Sequence, residues 1–271
     1  MKLAVSNIAW PVESDAEAFD LLAANGIRGI EIAPTRIWPQ WQGIDAASVA
    51  GLRSTLDSAG LTVSSLQAIL FQKPELHLFG SDRDRQAMFD HLCRCADLAG
   101  TLGAYCLVFG APKNRDRGAL SEEDAFPIAC DFFAKVGDVY AARHLCIGFE
   151  ANPPEYGCNF ATESRTAARL VRAVDSAGFR LHLDTACLYL AGESPRQAIE
   201  QNSDILRHFH VSEPNLGPFS APKAPHKTAA QALRNVHYDG WAALEMRAAG
   251  PPLPALTEAV RYIRETYGDG S

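Results

Sequence analysis

The chain has 271 residues, 47% of them hydrophobic and 21% charged, which is enough apolar content for one large core and argues against disorder. Its formal net charge is −7 and no Lys/Arg run offsets it, so nucleic acid and an anionic membrane surface are excluded as partners and a small molecule is expected. No apolar run approaches the ~20 residues that span a bilayer, and the stretch Met1–Trp10 lacks the long apolar segment of a signal peptide.

Short β-branched and apolar runs alternate with longer amphipathic ones along the chain. Strands are predicted at Leu3–Trp10, Gly29–Ala33, Thr62–Ile69, Ala104–Gly110, Leu145–Ala151, Arg180–Thr185, Leu206–Ser212 and Ala242–Met246. Between them the spacing predicts helices, for example over Ala161–Ala177 and over Ala119–Arg143. Ser81-Asp82 and Ser121-Glu122-Glu123-Asp124 read as helix starts, and Gly60, Gly100 and Gly178 read as stops. Eight successive β-then-α units without hairpins imply a parallel sheet, and eight is the count that closes a (β/α)8 TIM barrel. An open doubly wound sheet usually carries a glycine-rich first turn, whereas the turn here reads Trp10-Pro11-Val12-Glu13. No linker or composition break appears, so residues 1–271 are expected to form one domain. The seven cysteines are odd in number and lack a C-x-x-C pair, a pattern that suits reduced thiols and a cytoplasmic location.

In such a barrel the chemistry sits at the carboxyl ends of the strands. Strands five to eight end in Gly148-Phe149-Glu150, His182-Leu183-Asp184, His208-Phe209-His210 and Ala243-Leu244-Glu245. Strand residues alternate in direction, so His182 shares a face with Asp184 and His208 with His210. Carboxylates and an imidazole converging inside a barrel are costly unless something pairs with them. A divalent cation does so directly, and three carboxylates with one imidazole suit manganese, magnesium or cobalt better than a cysteine-rich zinc site. Glu150, Asp184, His210 and Glu245 are therefore the expected metal ligands; taken singly, each is equally readable as a salt-bridge partner or a helix cap.

With these residues the chain resembles the xylose isomerase-like TIM-barrel superfamily, in particular its sugar phosphate isomerase/epimerase members. The most specific segments are Glu150-Ala151-Asn152-Pro153-Pro154, His182-Leu183-Asp184-Thr185, His208-Phe209-His210-Val211-Ser212-Glu213 and Tyr238-Asp239-Gly240-Trp241 followed by Leu244-Glu245-Met246. The resemblance implies one divalent ion on Glu150, Asp184, His210 and Glu245, manganese first, with magnesium, cobalt and zinc as alternatives. It also implies that Glu150 and Glu245 act as the acid/base pair, one on each face of the substrate. Two departures stand out. Cys187 occupies a position where ketose epimerases carry histidine, and Pro214-Asn215-Leu216-Gly217 follows Glu213 where an arginine is usual.

The activity so implied is metal-dependent isomerisation or epimerisation of a sugar or related polyhydroxy carbonyl compound through a metal-stabilised enediolate, a role in carbohydrate metabolism. The same ligands would serve a lyase or dehydratase acting on a cyclic polyol or keto acid, and a non-catalytic polyol-binding barrel is the reading from another class. A nuclease acting at abasic sites would need a trinuclear centre and a basic groove, against which the acidic balance argues. Substrate contacts are expected from Trp10, Gln67, Lys113, Arg115, His182, His208, Glu213, His226 and Arg247, with Glu31 on the opposite wall. For Trp10 the alternative is core packing, for His182 and His208 a hydrogen bond to a ligand carboxylate, for His226 a helix cap, and for Lys113 and Arg115 solvated loop charges. Cys187 reads by default as a small buried hydrophobe. The Ala119–Arg143 helix is the expected surface for a homo-oligomer.

Overall fold

A computed structural model describes residues 1–268. Eight parallel strands close into one barrel in sequence order: β1 Lys2–Ser6, β2 Gly29–Ile32, β3 Thr62–Leu66, β4 Cys106–Phe109, β5 Cys146–Glu150, β6 Phe179–Asp184, β7 Leu206–Ser212 and β8 Trp241–Glu245. The helices are α1 Asp15–Ala24, α2 Pro34–Ile37, α3 Ala46–Ser58, α4 Asp82–Leu102, α5 Glu122–Ala141, α6 Ser164–Val174, α7 Thr185–Leu190, α8 Pro195–Glu200, α9 His226–Asn235 and α10 Pro252–Tyr267. This is the (β/α)8 TIM barrel that the alternation implied. Among the described residues no helix is long and apolar enough to cross a membrane.

The outward faces of the strands bury aromatic and aliphatic side chains against the helices. Phe109 and Phe149 of β4 and β5 pack with Phe133 of α5, and Phe133 stacks on Phe179 of β6 at 4.5 Å between centroids. Each fully buried ring contributes on the order of 1.5–3 kcal/mol, so this wall anchors the strands that carry the polar interior.

Several strands are shorter than the pattern suggested. β1 ends at Ser6 because the chain enters a 3-10 turn at Asn7–Ala9, and the Asn7 side chain accepts from the backbone N–H of Ala33 at 2.9 Å. β3 ends before Ala68, whose φ of 53° cannot continue an extended strand. Gly100 lies inside α4; the stop is Gly103, at φ 80°. α6 ends on Asp175 in the left-handed region, so Gly178 is no stop. A Cβ there would lie 2.0 Å from the Gly137 carbonyl oxygen, which makes it a close contact between β6 and α5. Gly60, at φ 65°, does follow α3 as expected, and Ser81 and Ser121 do cap α4 and α5.

Register then sets the heights of the inward residues. Glu150 pairs with His182, His182 with His208, Asp184 with His210, and Ser212 with Glu245. A register shift between Leu181 and His182 brings the β6 and β7 histidines level. The interior is thereby layered, with Glu150, Asp184, His210 and Glu245 at the mouth and Glu31, Ser65, His182 and His208 below.

Candidate active site at the barrel mouth

Glu150 is the last residue of β5 and faces inward by strand alternation. Its Oε2 accepts from Asn152 Nδ2 at 2.6 Å, and Asn152 Oδ1 in turn accepts from the Arg115 guanidinium at 2.7 Å. A second arm of Arg115 donates to the Glu150 backbone carbonyl at 2.6 Å, and the guanidinium lies 4.8 Å from the Phe149 ring centroid. Space for the carboxylate comes from Gly110, just past β4, where a Cβ would fall 2.5 Å from Glu150 Oε2. Asp184 ends β6 and caps α7, accepting from the Cys187 N–H at 2.7 Å and from the Ser212 hydroxyl.

His210 stands at the centre. Its Nδ1 is 3.1 Å from Glu245 Oε2 and 3.9 Å from both Glu150 Oε1 and Asp184 Oδ2, with none of them aligned for a hydrogen bond. Its other nitrogen, Nε2, lies 3.0 Å from Glu31 Oε2. That same oxygen takes the Ser65 hydroxyl at 2.7 Å and His208 Nε2 at 3.0 Å. An ionised carboxylate only accepts, so Glu31 holds the His210 proton on Nε2 and turns the Nδ1 lone pair toward the carboxylates.

The electrostatics agree with this geometry. Burial raises the carboxyls of Glu150, Asp184 and Glu245 above their ordinary values; the Glu150 charge adds to the rise at Asp184, and His210 opposes it at all three. Burial works against a charged His210, yet Glu31 and Glu245 outweigh it and hold the ring well above the usual histidine value. Glu31 is likewise opposed by burial, but His210 and His208 hold it well below the carboxylate range. Burial, followed by the neighbouring His210 and His208, keeps His182 neutral.

A divalent cation fits these residues. Ligand atoms of Glu150, Asp184 and His210 lie within 4.8 Å of one another, Glu245 joins through His210, and the buried Nδ1 has no aligned protein partner. Like-charged carboxylates around a bare lone pair are stabilised by a cation, or otherwise by protons.

The other expected contacts fall into two groups. Gln67 is inside the mouth, donating to Ser6 Oγ at 2.8 Å. His182 and His208 are fully buried beneath the centre, and His182 Nε2 is 3.2 Å from Glu150 Oε1. Lys113 and Arg247 are exposed on loops that follow β4 and β8.

The remaining four are engaged elsewhere, which corrects their expected role as substrate contacts. The Trp10 indole donates to Asp15 at 2.7 Å and packs edge-on to Phe19, between the barrel and α1. Arg115 is completely buried and spent on Glu150 and Asn152. Glu213 accepts from the backbone N–H groups of Lys223 and Ala224 and meets His226 Nε2 at 2.7 Å. His226 Nδ1 in turn faces the Tyr267 hydroxyl at 2.9 Å. This chain ties the loop after β7 to α10 and leaves neither residue free, and His226 caps no helix. Glu31 lies below the centre rather than on the opposite wall. Asn152 and Ser212 were legible as neighbours two positions past Glu150 and His210 on the same face, whereas Ser65 and Gly110 carry no sequence signal.

With this geometry in place, the chain proves to belong to a known family: residues 19–266 match the model described as xylose isomerase-like TIM barrel. Among solved structures it is similar to D-psicose 3-epimerase from Clostridium cellulolyticum H10, crystallised with D-tagatose, at 15% identity over 98% of this chain and 99% of that one, with a TM-score of 0.82. It is similar to the probable 3-DHS dehydratase AsbF of Bacillus anthracis at 16% identity, covering 96% and 97%, with a TM-score of 0.72. It is also similar to the IOLI protein with a bound zinc atom, at 14% identity, 98% coverage of each chain and a TM-score of 0.75. Likenesses at this identity speak for the fold.

Proposed function

We propose that this chain is a divalent-metal-dependent isomerase or epimerase acting on a sugar or a related polyhydroxy carbonyl compound, with Glu150 and Glu245 as its acid/base pair. The observation that carries the reading is the buried His210 Nδ1 facing Glu245 at 3.1 Å and Glu150 and Asp184 at 3.9 Å. The oxygen-rich donor set favours manganese. Such an ion, bound there, polarises a carbonyl and acidifies the C–H bond beside it. Glu150 and Glu245 project from β5 and β8, with β6 and β7 between them, so they approach a substrate at the mouth from different sides. One takes the C–H proton at a carboxylate oxygen and the other returns a proton to the opposite face; return to the neighbouring carbon gives isomerisation instead. Burial raises both carboxyls, which brings them closer to the pH at which they must accept and donate. Asn152 and Arg115 hold Glu150 in one orientation, and Gln67 and Ser6 supply polar contacts on the facing wall. The seven free thiols suit a reducing compartment such as the cytoplasm.

A lyase or dehydratase is the second reading. Cys187 favours it, since this thiol sits 3.6 Å from Asn152 Nδ2 where ketose epimerases would place a histidine. The test is proton exchange. Manganese-loaded protein is incubated in deuterium oxide with a panel of ketoses and followed by NMR, beside Glu150→Gln and Glu245→Gln. Deuterium entering at one carbon in the native protein, lost in both variants, is the expected result. Growth of ultraviolet absorbance without exchange into recovered substrate supports dehydration. Protein that takes up no metal from excess Mn²⁺ overturns both readings.

A further inference from the structure

Below the mouth, the barrel interior holds a second polar layer in which Glu31, Ser65, His182 and His208 are each fully buried. Among the described residues, six buried side-chain nitrogen or oxygen atoms lack a hydrogen-bond partner, and four of them belong here: Glu31 Oε1, both nitrogens of His182, and His208 Nδ1. Glu31 is lopsided. Its Oε2 is crowded by Ser65, His208 and His210, while Oε1 of the same carboxylate has nothing. Buried polar atoms rarely go unpaired, and four in one contiguous cluster call for a common partner.

The rings are close enough to share one. The centroids of His182 and His208 are 5.3 Å apart with planes inclined by 27°, and those of His182 and His210 are 4.2 Å apart. Ligand nitrogens from these three rings lie within 4.8 Å of one another, so shifts of about 1 Å bring them to zinc-site spacing. Gly148 makes the arrangement possible, because a Cβ on it would press within 3.3 Å of His182 Cβ and 3.0 Å of Cys106 Sγ.

We infer that the barrel takes a second divalent cation, of the imidazole-preferring zinc or cobalt class, on His182, His208 and Glu31 directly beneath the Glu150–Asp184–His210–Glu245 centre. The two positions draw on different atoms. The upper one takes His210 Nδ1 and the mouth carboxylates, while His210 Nε2 remains bonded to Glu31 Oε2. Nitrogen-rich donors select the lower ion for zinc or cobalt, and oxygen-rich donors leave manganese to the upper position. The inference extends the proposed function to a two-metal centre without depending on it.

The test counts metal. Protein stripped with a chelator is dialysed against excess Zn²⁺, and metal per chain is measured by mass spectrometry for the native chain, Asp184→Asn, and the double variant His182→Gln, His208→Gln. About two zinc ions are expected in the native chain and about one in each variant. A parallel Co²⁺ titration should show two absorption steps in the native chain, the step that persists in Asp184→Asn being the imidazole-bound one. One zinc per native chain overturns the inference, and so do two in the double histidine variant. If that variant does not fold, the native count and the cobalt steps decide. A count unchanged by Asp184→Asn but lowered by the histidine substitutions would sink the upper centre and leave the lower one standing.

Discussion

Gly110→Ala isolates the geometry of the mouth from its chemistry, because it alters no polar group. The added Cβ would sit 2.5 Å from Glu150 Oε2 and 3.4 Å from Asn152 Oδ1, where ordinary contact begins near 3.4 Å. The carboxylate therefore has to retreat by about 0.9 Å. It cannot swing freely, since Asn152 holds Oε2 at 2.6 Å and Arg115 holds Asn152 at 2.7 Å. Metal ligands tolerate roughly ±0.2 Å, and a displacement near 1 Å costs on the order of 100-fold in a positioned reaction. We expect Mn²⁺ affinity to fall 10- to 100-fold, or ~1.4–2.7 kcal/mol at about 1.36 kcal/mol per decade. Overpacking adds ~1–3 kcal/mol of destabilisation. Calorimetric titration with Mn²⁺, beside a urea denaturation curve, separates the two effects. Wild-type affinity in a folded Gly110→Ala protein would refute the claim that Glu150 Oε2 belongs to the metal site.

Other perturbations probe the supports. Glu31→Gln keeps the shape under His210 but removes the charge that fixes its tautomer, so Mn²⁺ affinity should drop roughly 10- to 100-fold; a change under about threefold would show that Glu31 does not position His210. Arg115→Met leaves the Glu150 carbonyl and Asn152 Oδ1 without their buried donor, which should cost about 2–4 kcal/mol by denaturation. A loss well under about 1 kcal/mol would mean that water or another donor replaces the guanidinium. Burial raises Glu150, Asp184 and Glu245, so just above the ordinary carboxylate range the folded chain still holds protons that a cation must displace. Metal affinity should therefore climb with pH between about 5 and 7, with proton release on binding. The same shifts make the metal-free fold lose stability as pH rises through that window, because there the native state binds more protons than the unfolded one. A flat titration across it would contradict the burial of these carboxyls.

The ligand set was legible because strand ends and two-residue alternation are local properties. Glu150, Asp184, His210 and Glu245 each close an apolar run, and a barrel directs all such ends to one face. The supports were legible only in part. Arg115 reads in sequence as a loop charge, yet it is fully buried, because a short 3-10 turn after β4 tucks it under the β5 loop, against Phe149. Glu213 and His226 looked like substrate contacts since both follow β7; their mutual bond and the Tyr267 hydroxyl from α10 depend on how the last helix packs.

The sequence by itself determined the closed eight-unit barrel, because hydrophobic periodicity is a near-neighbour signal and eight repeats have one economical closure. It also determined which strand ends carry charge. Tertiary structure decided what lies beneath them. Glu31 and His208 are 177 positions apart yet 3.0 Å from each other, and nothing in either segment announces the pairing. The physical reason is ring closure and strand register: the shift between Leu181 and His182 sets the height of the β6 and β7 histidines, and the narrow interior then forces them onto the one carboxylate at that level.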